Sequence, residues 1–221
     1  MIVLLVMTDG RDDLLAETLP AAAAAVPHTR LVVHDDTGDY DHRLALHQRF
    51  HHLGVDIIGG NTRRGFGGAI AAAWDHIANG TETFVVHWED DFLPTRYVDW
   101  VEIADTLSRH PHLVQLALRR QPWNPDEQAA GGIVEQHPDD YTDCADAGAE
   151  WLEHTRFFTT NPSMYRATLC RRGWPTGANS EGRFGIALRD EHPDWRFGFW
   201  GSRDSGEWCH HIGHERVGTG Y

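Results

Sequence analysis

Residues 84–91 read FVVHWEDD and contain the clearest indication of the fold of the chain. The run from Phe84 to Trp88 is almost wholly apolar, which predicts a strand that is buried on both faces of a sheet. Three acidic residues, Glu89, Asp90 and Asp91, follow it directly. Ligands of open parallel sheets bind beyond the carboxyl ends of the strands, so this strand end is a candidate ligand site.

An alternation of strand and helix extends outward from this stretch. Strands are predicted at residues 2–7, 31–34, 55–58, 84–88 and 113–118. Helices are predicted from Asp12 or Asp13 to residue 25, and at residues 43–52, 67–78 and 95–109. Such alternation predicts an α/β fold with an open, mostly parallel central sheet that is flanked by helices on right-handed crossovers.

Three polar strand ends are expected to meet at one edge of this sheet. They are residues 8–11 after the first strand, Asp35-Asp36 after the second and residues 89–91 after the fourth. Because the carboxyl ends of parallel strands share an edge, we predict that these segments contribute to one ligand site.

Length and charge restrict the classes of protein to which the chain can belong. Its 221 residues suffice for one α/β domain with a buried core and are few for two. The formal net charge is -14, from 33 acidic and 19 basic side chains, and an acidic surface repels phosphate backbones. A broad nucleic-acid platform is therefore disfavoured, although a small basic cleft is compatible with an acidic protein.

Cysteine usage and apolar runs predict a soluble protein of a reducing cytoplasm. Cys144, Cys170 and Cys209 are odd in number and widely spaced, which argues against a disulfide scaffold. Residues 1–7 are apolar but lack a basic start and a cleavage pattern, and no stretch approaches the roughly 18 apolar residues of a membrane span. We therefore expect no membrane anchor, and the sequence leaves the oligomeric state open.

The alternating pattern ends after Leu118. Six tryptophans follow in a region rich in glycine, proline and charge: Trp123, Trp151, Trp174, Trp195, Trp200 and Trp208. Most of them are expected in the core, although an exposed ring could stack on a sugar or a base. Because there is no repeat and no linker, we predict a single domain over residues 1–221 whose second half supplies the more variable surface.

The acidic run Glu89-Asp90-Asp91 suits a divalent cation. Mg²⁺ and Mn²⁺ take carboxylate oxygens, often only one or two of them, together with phosphate oxygens. Carboxylates two residues apart at a strand end can turn towards one ligand, and a diphosphate leaving group needs such a cation to neutralise its charge. The alternative is a solvated acidic turn.

Three motifs follow in order along the first half: residues 32–39 read VVHDDTGD, residues 61–69 NTRRGFGGA and residues 87–91 HWEDD. This series resembles the nucleotide-sugar half of glycosyltransferases with the A-type (GT-A) fold, in particular the inverting family 2 group, and the small bacteriophage and bacterial members among them. The resemblance implies a single Rossmann-like GT-A domain. Residues 1–120 would bind the nucleotide sugar, and residues 121–221 would supply the acceptor side and a C-terminal metal ligand.

The resemblance implies donor-site roles for several residues of the first half. Thr8 and Arg11 match positions that contact the nucleotide. One of Asp35 and Asp36 matches the acid that hydrogen-bonds the base, commonly uracil. A further segment matches the lining of the nucleotide and sugar pocket, at Asn61, Arg64 and Gly65. The alternatives are turn chemistry for the two aspartates and a solvated basic turn for Arg64.

Within the acidic run, Glu89 and Asp91 match the first and last acids of the D-x-D motif of the family. Asp91 is then the direct ligand of Mn²⁺ or Mg²⁺, and Glu89 helps to orient the donor. Asp90, between them, belongs to the same donor site. The first acid of the motif is here Glu in place of Asp.

An inverting transfer needs a base that takes the proton of the acceptor hydroxyl. Family members carry an E-D pair ahead of a helix for this purpose, and here Ser180-Glu181 precedes a predicted helix through Leu188. Glu181 is therefore the predicted base, while the second acid is absent because Gly182 follows. The alternative for Glu181 is a carboxylate that stabilises the start of a helix through the macrodipole.

The C-terminal stretch at residues 208–216 reads WCHHIGHER. Several A-fold transferases complete the metal shell with a C-terminal histidine, and the match to His-Ile-Gly makes His211 the predicted second ligand, with His210 in reserve. A rival interpretation is a zinc cluster of Cys209, His210, His211 and His214. It lacks the paired C-x-x-C spacing that is typical of structural zinc sites.

The sequence therefore predicts transfer of a hexosyl group from a nucleoside diphosphate sugar, expected to be UDP-linked, to a hydroxyl acceptor with inversion. A glycan, a protein and a modified DNA base all remain open as the acceptor. One rival function is a nucleotidyltransferase of the same fold, which usually has a Gly-rich loop and a Lys after the first strand, and residues 8–11 do not supply them. The other rival is a non-catalytic carbohydrate-binding module.

Overall fold

The computed structural model describes residues 1–213 of the chain. Within them eleven strands form: β1 (Ile2–Thr8), β2 (Arg30–Asp35), β3 (Val55–Ile58), β4 (Phe84–Glu89), β5 (Phe92–Pro94), β6 (Leu113–Ala117), β7 (Thr142–Asp146), β8 (Ala149–His154), β9 (Ser163–Arg166), β10 (Arg196–Trp200) and β11 (Cys209–His211). The α-helices of the same residues are α1 (Asp12–Ala25), α2 (Tyr40–Phe50), α3 (Gly65–Ala78), α4 (Trp100–Arg109), α5 (Pro125–Ala130), α6 (Ile133–Gln136) and α7 (Ser180–Glu191). None of these helices is long and apolar enough to cross a membrane.

Nine of the strands form one sheet in the order β3-β2-β1-β4-β9-β6-β10-β8-β7. β3, β2, β1 and β4 are mutually parallel, and β10 is parallel to β6. β9 is antiparallel to both β4 and β6, and β8 is antiparallel to both β10 and β7. Seven of the nine strands therefore point the same way, and the predicted α/β fold with a mostly parallel sheet is confirmed.

β1 is buried along its whole length because helices cover both faces of the sheet. On one face Leu4 belongs to a hydrophobic cluster with Trp88. On the other face Val3 belongs to a second cluster with Trp74 of α3. Successive residues of a strand point to opposite faces, so a strand between two apolar layers reads as a continuous apolar run. This burial explains why the pattern of β1 and β4 was readable in the sequence.

The five predicted strands are all present, and each boundary lies within one residue of the prediction. Helix starts differ more. α2 begins at Tyr40 rather than at position 43, because the carboxylate of Asp39 accepts hydrogen bonds from the N–H groups of its first turn. α4 begins at Trp100 rather than at position 95, because β5 occupies residues 92–94 and Asp99 caps the helix. α3 begins at Gly65, two positions before the prediction.

The prediction that Asp12 or Asp13 caps α1 is wrong. Both residues lie inside the first turn, and in the described part of the chain no side-chain hydrogen bond from Arg11, the residue before the helix, caps it. The two carboxylates instead lie at the positive end of the helix macrodipole. The Arg11 guanidinium has no acceptor with which to cap the helix. It contacts Asp90 and Asp91 at the edge of the sheet.

Three of the six tryptophans of the second half lie in the core, and Trp195 and Trp208 are partly buried against it. Trp151, Trp174 and Trp200 are 2%, 6% and 7% exposed. Trp123 differs, since 39% of its surface is exposed. It follows β6 in a loop at the carboxyl end of the sheet, next to the strand ends on which the predicted site depends.

Candidate active site

The ends of β1 and β4 bring two of the predicted segments together. The strands are parallel neighbours with Met7 opposite Glu89, and the N–H of Asp90 donates to the carbonyl of Met7 at 3.0 Å. The Thr8 hydroxyl donates to Asp90 Oδ2 at 2.6 Å. The segment after the first strand and the acidic run after the fourth therefore share one edge of the sheet.

Arg11 bridges the carboxylates that follow β4. Its guanidinium forms ion pairs with Asp90 and Asp91, and a weaker one with Asp9 at 3.3 Å. Burial raises the pKa of Asp90 to about 7, although the charge of Arg11 and the hydrogen bond from Thr8 oppose the rise. A buried carboxylate needs such partners to be stable. Asp90 therefore holds the Thr8 hydroxyl and the Arg11 guanidinium in place at the carboxyl end of the strands.

Asp91 lies beside His211, which comes 120 positions later in the chain. β11 pairs with β5 so that His211 is opposite Phe92, and the Ile212 N–H donates to the Asp91 carbonyl at 2.8 Å. His211 Nε2 consequently lies 3.1 Å from Asp91 Oδ2. Burial alone would raise the pKa of Asp91, but the hydrogen bond from His211 and the charge of Arg11 outweigh it and lower the pKa.

Gly213 permits this close approach. A Cβ atom at that position would lie 2.5 Å from Asp91 Oδ2 and 3.0 Å from Asp91 Cβ. Any larger residue would therefore displace the Asp91 side chain or the segment that carries His211. Close packing against Asp91 thus explains why the third residue of the His-Ile-Gly sequence is a glycine.

Glu181 reaches the same region from α7. It lies in the first turn of that helix, and its Oε1 accepts from the Thr160 N–H at 2.7 Å and from the Thr160 hydroxyl at 3.2 Å. The Thr160 side chain also hydrogen-bonds Glu89. Burial, followed by the negative charges of Asp91 and Glu181, raises the pKa of Glu89 well above its usual range. The carboxylates of Asp91 and Glu181 are therefore close enough to Glu89 to repel its carboxylate.

These side chains line one open cavity of about 360 Å³, a volume within the roughly 300–1,000 Å³ of small-molecule sites. Its charged and imidazole lining comes from Asp9, Arg11, Glu89, Asp91, Arg120, Glu181 and His211. Its apolar walls are Phe66, Phe92, Trp123, Ile133 and Phe157, and its other polar groups include Thr159, Thr160, Asn161, Asn179 and Ser180. Charged groups that converge between aromatic walls suit a ligand with both a charged and an apolar face.

Seven predicted donor-site residues lie outside the lining of this cavity: Thr8, Asp35, Asp36, Asn61, Arg64, Gly65 and Asp90. The fully buried Asp35 accepts from the Thr37 N–H and hydroxyl at 3.0 and 2.7 Å, and from His42 Nδ1 at 3.0 Å. Asp36 accepts from the N–H groups of Arg64 and Gly65 at 2.9 and 2.8 Å and so covers the start of α3. Asn61 accepts from Arg43 at 3.2 Å. Both aspartates thus make turn and capping contacts, and the contact with a base stays a prediction.

Several cavity residues carried little signal in the sequence. Thr159, Thr160 and Asn161 precede β9, the antiparallel strand between β4 and β6. Arg120 and Trp123 lie in the loop after β6. Their place in the cavity depends on strand order, which local patterns do not encode. The polar run at residues 159–161, directly after the apolar pair Phe157-Phe158, was the one sequence feature that could have pointed to them.

Asp91 and His211 fit a divalent cation as a pair. Adjacent ligands of an octahedral cation with bonds of about 2.1 Å lie about 3 Å apart. The observed separation of 3.1 Å matches this spacing, and Asp91 Oδ1 is buried without a hydrogen-bond partner in the described part of the chain. Among residues 1–213 no group of three acidic, histidine or cysteine side chains forms a closed metal site. A cation held by these two side chains would need phosphate oxygens to complete its coordination, as is common for hard cations.

The rival zinc cluster is not assembled within the described residues. Cys209 is fully buried, with Sγ 3.7 Å from the Arg119 carbonyl, and burial raises the pKa of its thiol. The side chain of His210 is 48% exposed and lies 3.8 Å from Glu207. His214 lies outside the described residues.

The fold, but not the sequence, matches known proteins. No protein-family model and no curated protein matches the chain. The mannosyltransferase PcManGT from Pyrobaculum calidifontis, solved in complex with GDP-Man and Mn²⁺, matches 96% of this chain with a TM-score of 0.65 and 17% identity. TarS 1-349 of S. aureus, solved in complex with UDP-GlcNAc, matches 98% of this chain with a TM-score of 0.62 and 16% identity.

This chain covers 56% and 59% of those two chains, a little over half of their length. A further structure of TarS 1-349, in complex with UDP, matches 95% of this chain with a TM-score of 0.59 and 14% identity. At such identities the likeness shows the fold alone. The structural neighbours thus include a glycosyltransferase and a protein solved with a nucleotide sugar, and they share the mixed α/β sheet with its flanking helices.

Proposed function

We propose that this protein is a glycosyltransferase that moves a hexosyl group from a nucleoside diphosphate sugar to a hydroxyl acceptor. The observation that carries the proposal is the meeting of Glu89, Asp91, Glu181 and His211 in one cavity at the carboxyl ends of the parallel strands. These groups suit the binding of a cation with a diphosphate and the removal of a proton. The complexes of the structural neighbours with GDP-Man and Mn²⁺ and with UDP-GlcNAc support a nucleotide-sugar donor.

Asp91 and His211 would hold Mn²⁺ or Mg²⁺, and imidazole favours Mn²⁺. The cation, when bound, would neutralise the charge that develops on the diphosphate leaving group. Arg11 adds a fixed positive charge at the same wall of the cavity, where it already pairs with Asp90 and Asp91. Its ion pairs also reduce the repulsion between these two carboxylates.

Glu181 is the proposed base for the acceptor hydroxyl. The N–H and hydroxyl of Thr160 hold one of its carboxylate oxygens in a defined orientation, which a base needs for proton transfer. Glu181 comes from α7, a different element from those that carry Asp91 and His211, so activation of the donor and removal of the proton belong to separate groups. Inversion at the sugar carbon is the stereochemistry that such a separation favours.

A UDP-linked donor is part of this proposal. Asp35 or Asp36 would contact the base, and Asp36 would do so with the lone pairs left after it covers the start of α3. Residues 121–221 would form the acceptor side of a single domain, where Trp123, Phe157 and Asn161 line the cavity. The acceptor hydroxyl would belong to a glycan, a protein or a modified DNA base.

Release of nucleoside diphosphate from UDP-hexoses and GDP-Man, with Mn²⁺ present and acceptor absent, tests the proposal. We expect slow hydrolysis of at least one donor by the wild type and none by Asp91→Asn. The substitution keeps the side-chain volume but removes the negative charge that would hold the cation. A cooperative melting transition in the variant would show that the fold is intact.

Asp105→Asn is the matched control, because it makes the same change at an exposed aspartate of α4. This variant should hydrolyse the donor at the wild-type rate. Wild-type activity in Asp91→Asn would contradict the assignment of the metal ligand. Binding of a glycan without release of nucleotide from any donor would instead support a carbohydrate-binding module.

A further inference from the structure

The side-chain amide of Gln121 forms two hydrogen bonds with the main chain of His211, one as donor and one as acceptor. Gln121 Nε2 donates to the His211 carbonyl at 2.8 Å, and Gln121 Oε1 accepts from the His211 N–H at 2.8 Å. This pair of bonds reproduces the way in which a neighbouring strand pairs with one residue of an antiparallel sheet. Gln121 thus takes the place of a strand along the edge of β11 that faces away from β5.

His211 needs this support because its strand is short. β11 and β5 contain three residues each, and a two-stranded sheet of this kind is marginally stable by itself. The edge of β11 that faces away from β5 also contacts the main chain of the loop after β6. There the Cys209 N–H donates to the Arg119 carbonyl at 3.3 Å. Two residues further along, the support comes from the Gln121 side chain.

The loop that carries Gln121 also confines the His211 ring. The Trp123 ring meets the imidazole edge to face with 4.0 Å between centroids, and the Phe92 ring is 4.7 Å away. With the main chain held and the ring enclosed between two aromatic groups, Nε2 is kept beside Asp91 Oδ2.

This loop is built rigidly enough to act as a support. Arg120 donates to both carboxylate oxygens of Glu127, at 2.7 and 3.2 Å. The same carboxylate accepts from the Trp123 N–H at 2.9 Å and from the Asn124 amide at 3.0 Å. Glu127 is only 4% exposed, and charge-assisted hydrogen bonds of this kind are strong. Gln121 is therefore presented to β11 from a fixed position.

We infer that Gln121 is a positioning residue whose amide sets the place of His211 and, through it, the affinity of the site for its divalent cation. The inference rests on the proposed function, in which His211 and Asp91 hold that cation. An amide suits this role because the group must donate to a carbonyl and accept from an N–H at the same time. A carboxylate lacks the donor, and a hydrocarbon lacks both.

Titration with Mn²⁺, followed by electron paramagnetic resonance of the free ion, tests this inference. Gln121→Met keeps the length of the side chain and removes both hydrogen bonds to His211. We expect Mn²⁺ affinity to fall by about 10-fold or more, the range found when groups that orient metal ligands are removed. Gln121→Glu should also weaken binding, because its carboxylate would face the His211 carbonyl without a proton to donate.

Gln48→Met is the matched control, because it makes the same change at an exposed glutamine of α2. This variant should bind Mn²⁺ as the wild type does. If Gln121→Met fails to fold, the nearly isosteric Gln121→Glu carries the test.

Combination with His211→Ala separates positioning from general destabilisation. If Gln121 acts through His211, Gln121→Met should cause no further loss of Mn²⁺ affinity in the His211→Ala background. An equal loss in both backgrounds, or unchanged affinity in Gln121→Met, would overturn the inference while the proposed function stands. A wild-type protein that binds no Mn²⁺ would overturn the metal site of the proposed function together with the inference.

Discussion

Glu89 and Asp91 are two residues apart, yet the pKa of the first is raised and that of the second is lowered. Burial acts on both, so the difference comes from their neighbours. Asp91 faces the guanidinium of Arg11 and is hydrogen-bonded by His211, whereas Glu89 faces the carboxylates of Asp91 and Glu181. Neighbouring carboxylates in a cavity whose pKa values are shifted in opposite directions are typical of functional sites.

Glu181→Gln tests the proposed base at this scale. Loss of general-base assistance should lower kcat by about 10²- to 10⁴-fold. The Kd of the donor should stay nearly constant, since the groups proposed to hold the donor lie on other elements. Gln can also still accept from Thr160, so the local structure should persist. Donor binding by calorimetry and steady-state kinetics on the same preparation would measure both quantities.

Glu191→Gln, at the other end of α7, is the control and should leave both quantities unchanged. A collapse of donor affinity in Glu181→Gln would place Glu181 in the donor or metal site. If neither kcat nor Kd moves, Glu181 is a helix-start carboxylate, and Asp204 and Glu207 become the next candidates for the base.

At the scale of elements, His42 connects three of them at the edge of the sheet. From α2, its Nδ1 lies 3.0 Å from Asp35 at the end of β2, and its Nε2 lies 2.8 Å from Asp12 at the start of α1. The carboxyl end of β2 is therefore tied to the helices on either side of it. Together with the bonds from Thr37, this contact gives the buried carboxylate of Asp35 its hydrogen-bond partners.

His42→Gln should destabilise the protein in a pH-dependent way. Burial lowers the pKa of His42, but hydrogen bonds to Asp35 and Asp12 outweigh it, so the net pKa is raised. A raised pKa in the folded state means that the stabilisation is complete below the unfolded value of about 6.5 and is lost as pH rises through the folded value. We therefore expect the substitution to lower the melting temperature more at about pH 6 than at about pH 8.5.

His47→Gln is the control for this measurement, because His47 is an exposed histidine of the same helix. Its melting temperature should follow that of the wild type at both pH values. An equal loss of stability at both values in His42→Gln would show that the imidazole acts as a neutral hydrogen-bonding group.

At the scale of the whole molecule, the cavity joins strand ends, a loop and a helix that are far apart in the sequence. A ligand that binds only the assembled cavity stabilises the folded state by mass action, by about 2.7 kcal/mol at 100 times its Kd. We expect UDP to raise the melting temperature when Mn²⁺ is present. Because the diphosphate would be held through the cation, UDP with excess chelator should have little effect. A thermal-shift series with and without chelator would measure this.

Uridine, which has the base but not the diphosphate, is the control ligand and should stabilise far less than UDP in the presence of Mn²⁺. Equal stabilisation by UDP in excess chelator would remove the metal from the proposed mechanism. Equal stabilisation by uridine and UDP would instead show that the nucleoside, and not the diphosphate, provides the binding free energy.

The parallel half of the sheet and the acidic end of β4 could be predicted from the amino-acid sequence alone. Both are local features: a strand between two apolar layers must be continuously apolar, and the residue after it must leave the sheet. Thr8 and Asp90 meet for the same reason, since parallel neighbours end at one edge. The resemblance to A-fold transferases then singled out Glu181 and His211, a prediction that local patterns could not have made.

The surroundings of those residues depend on contacts between distant parts of the chain. The antiparallel β9 brings Thr160 to Glu181, and the pairing of β11 with β5 brings His211 to Asp91. Gln121 carries no motif, and its role depends on a main chain 90 positions away. Such pairings are selected by burial and hydrogen bonding over the whole sheet. They therefore cannot be predicted from the residues next to each partner in the sequence.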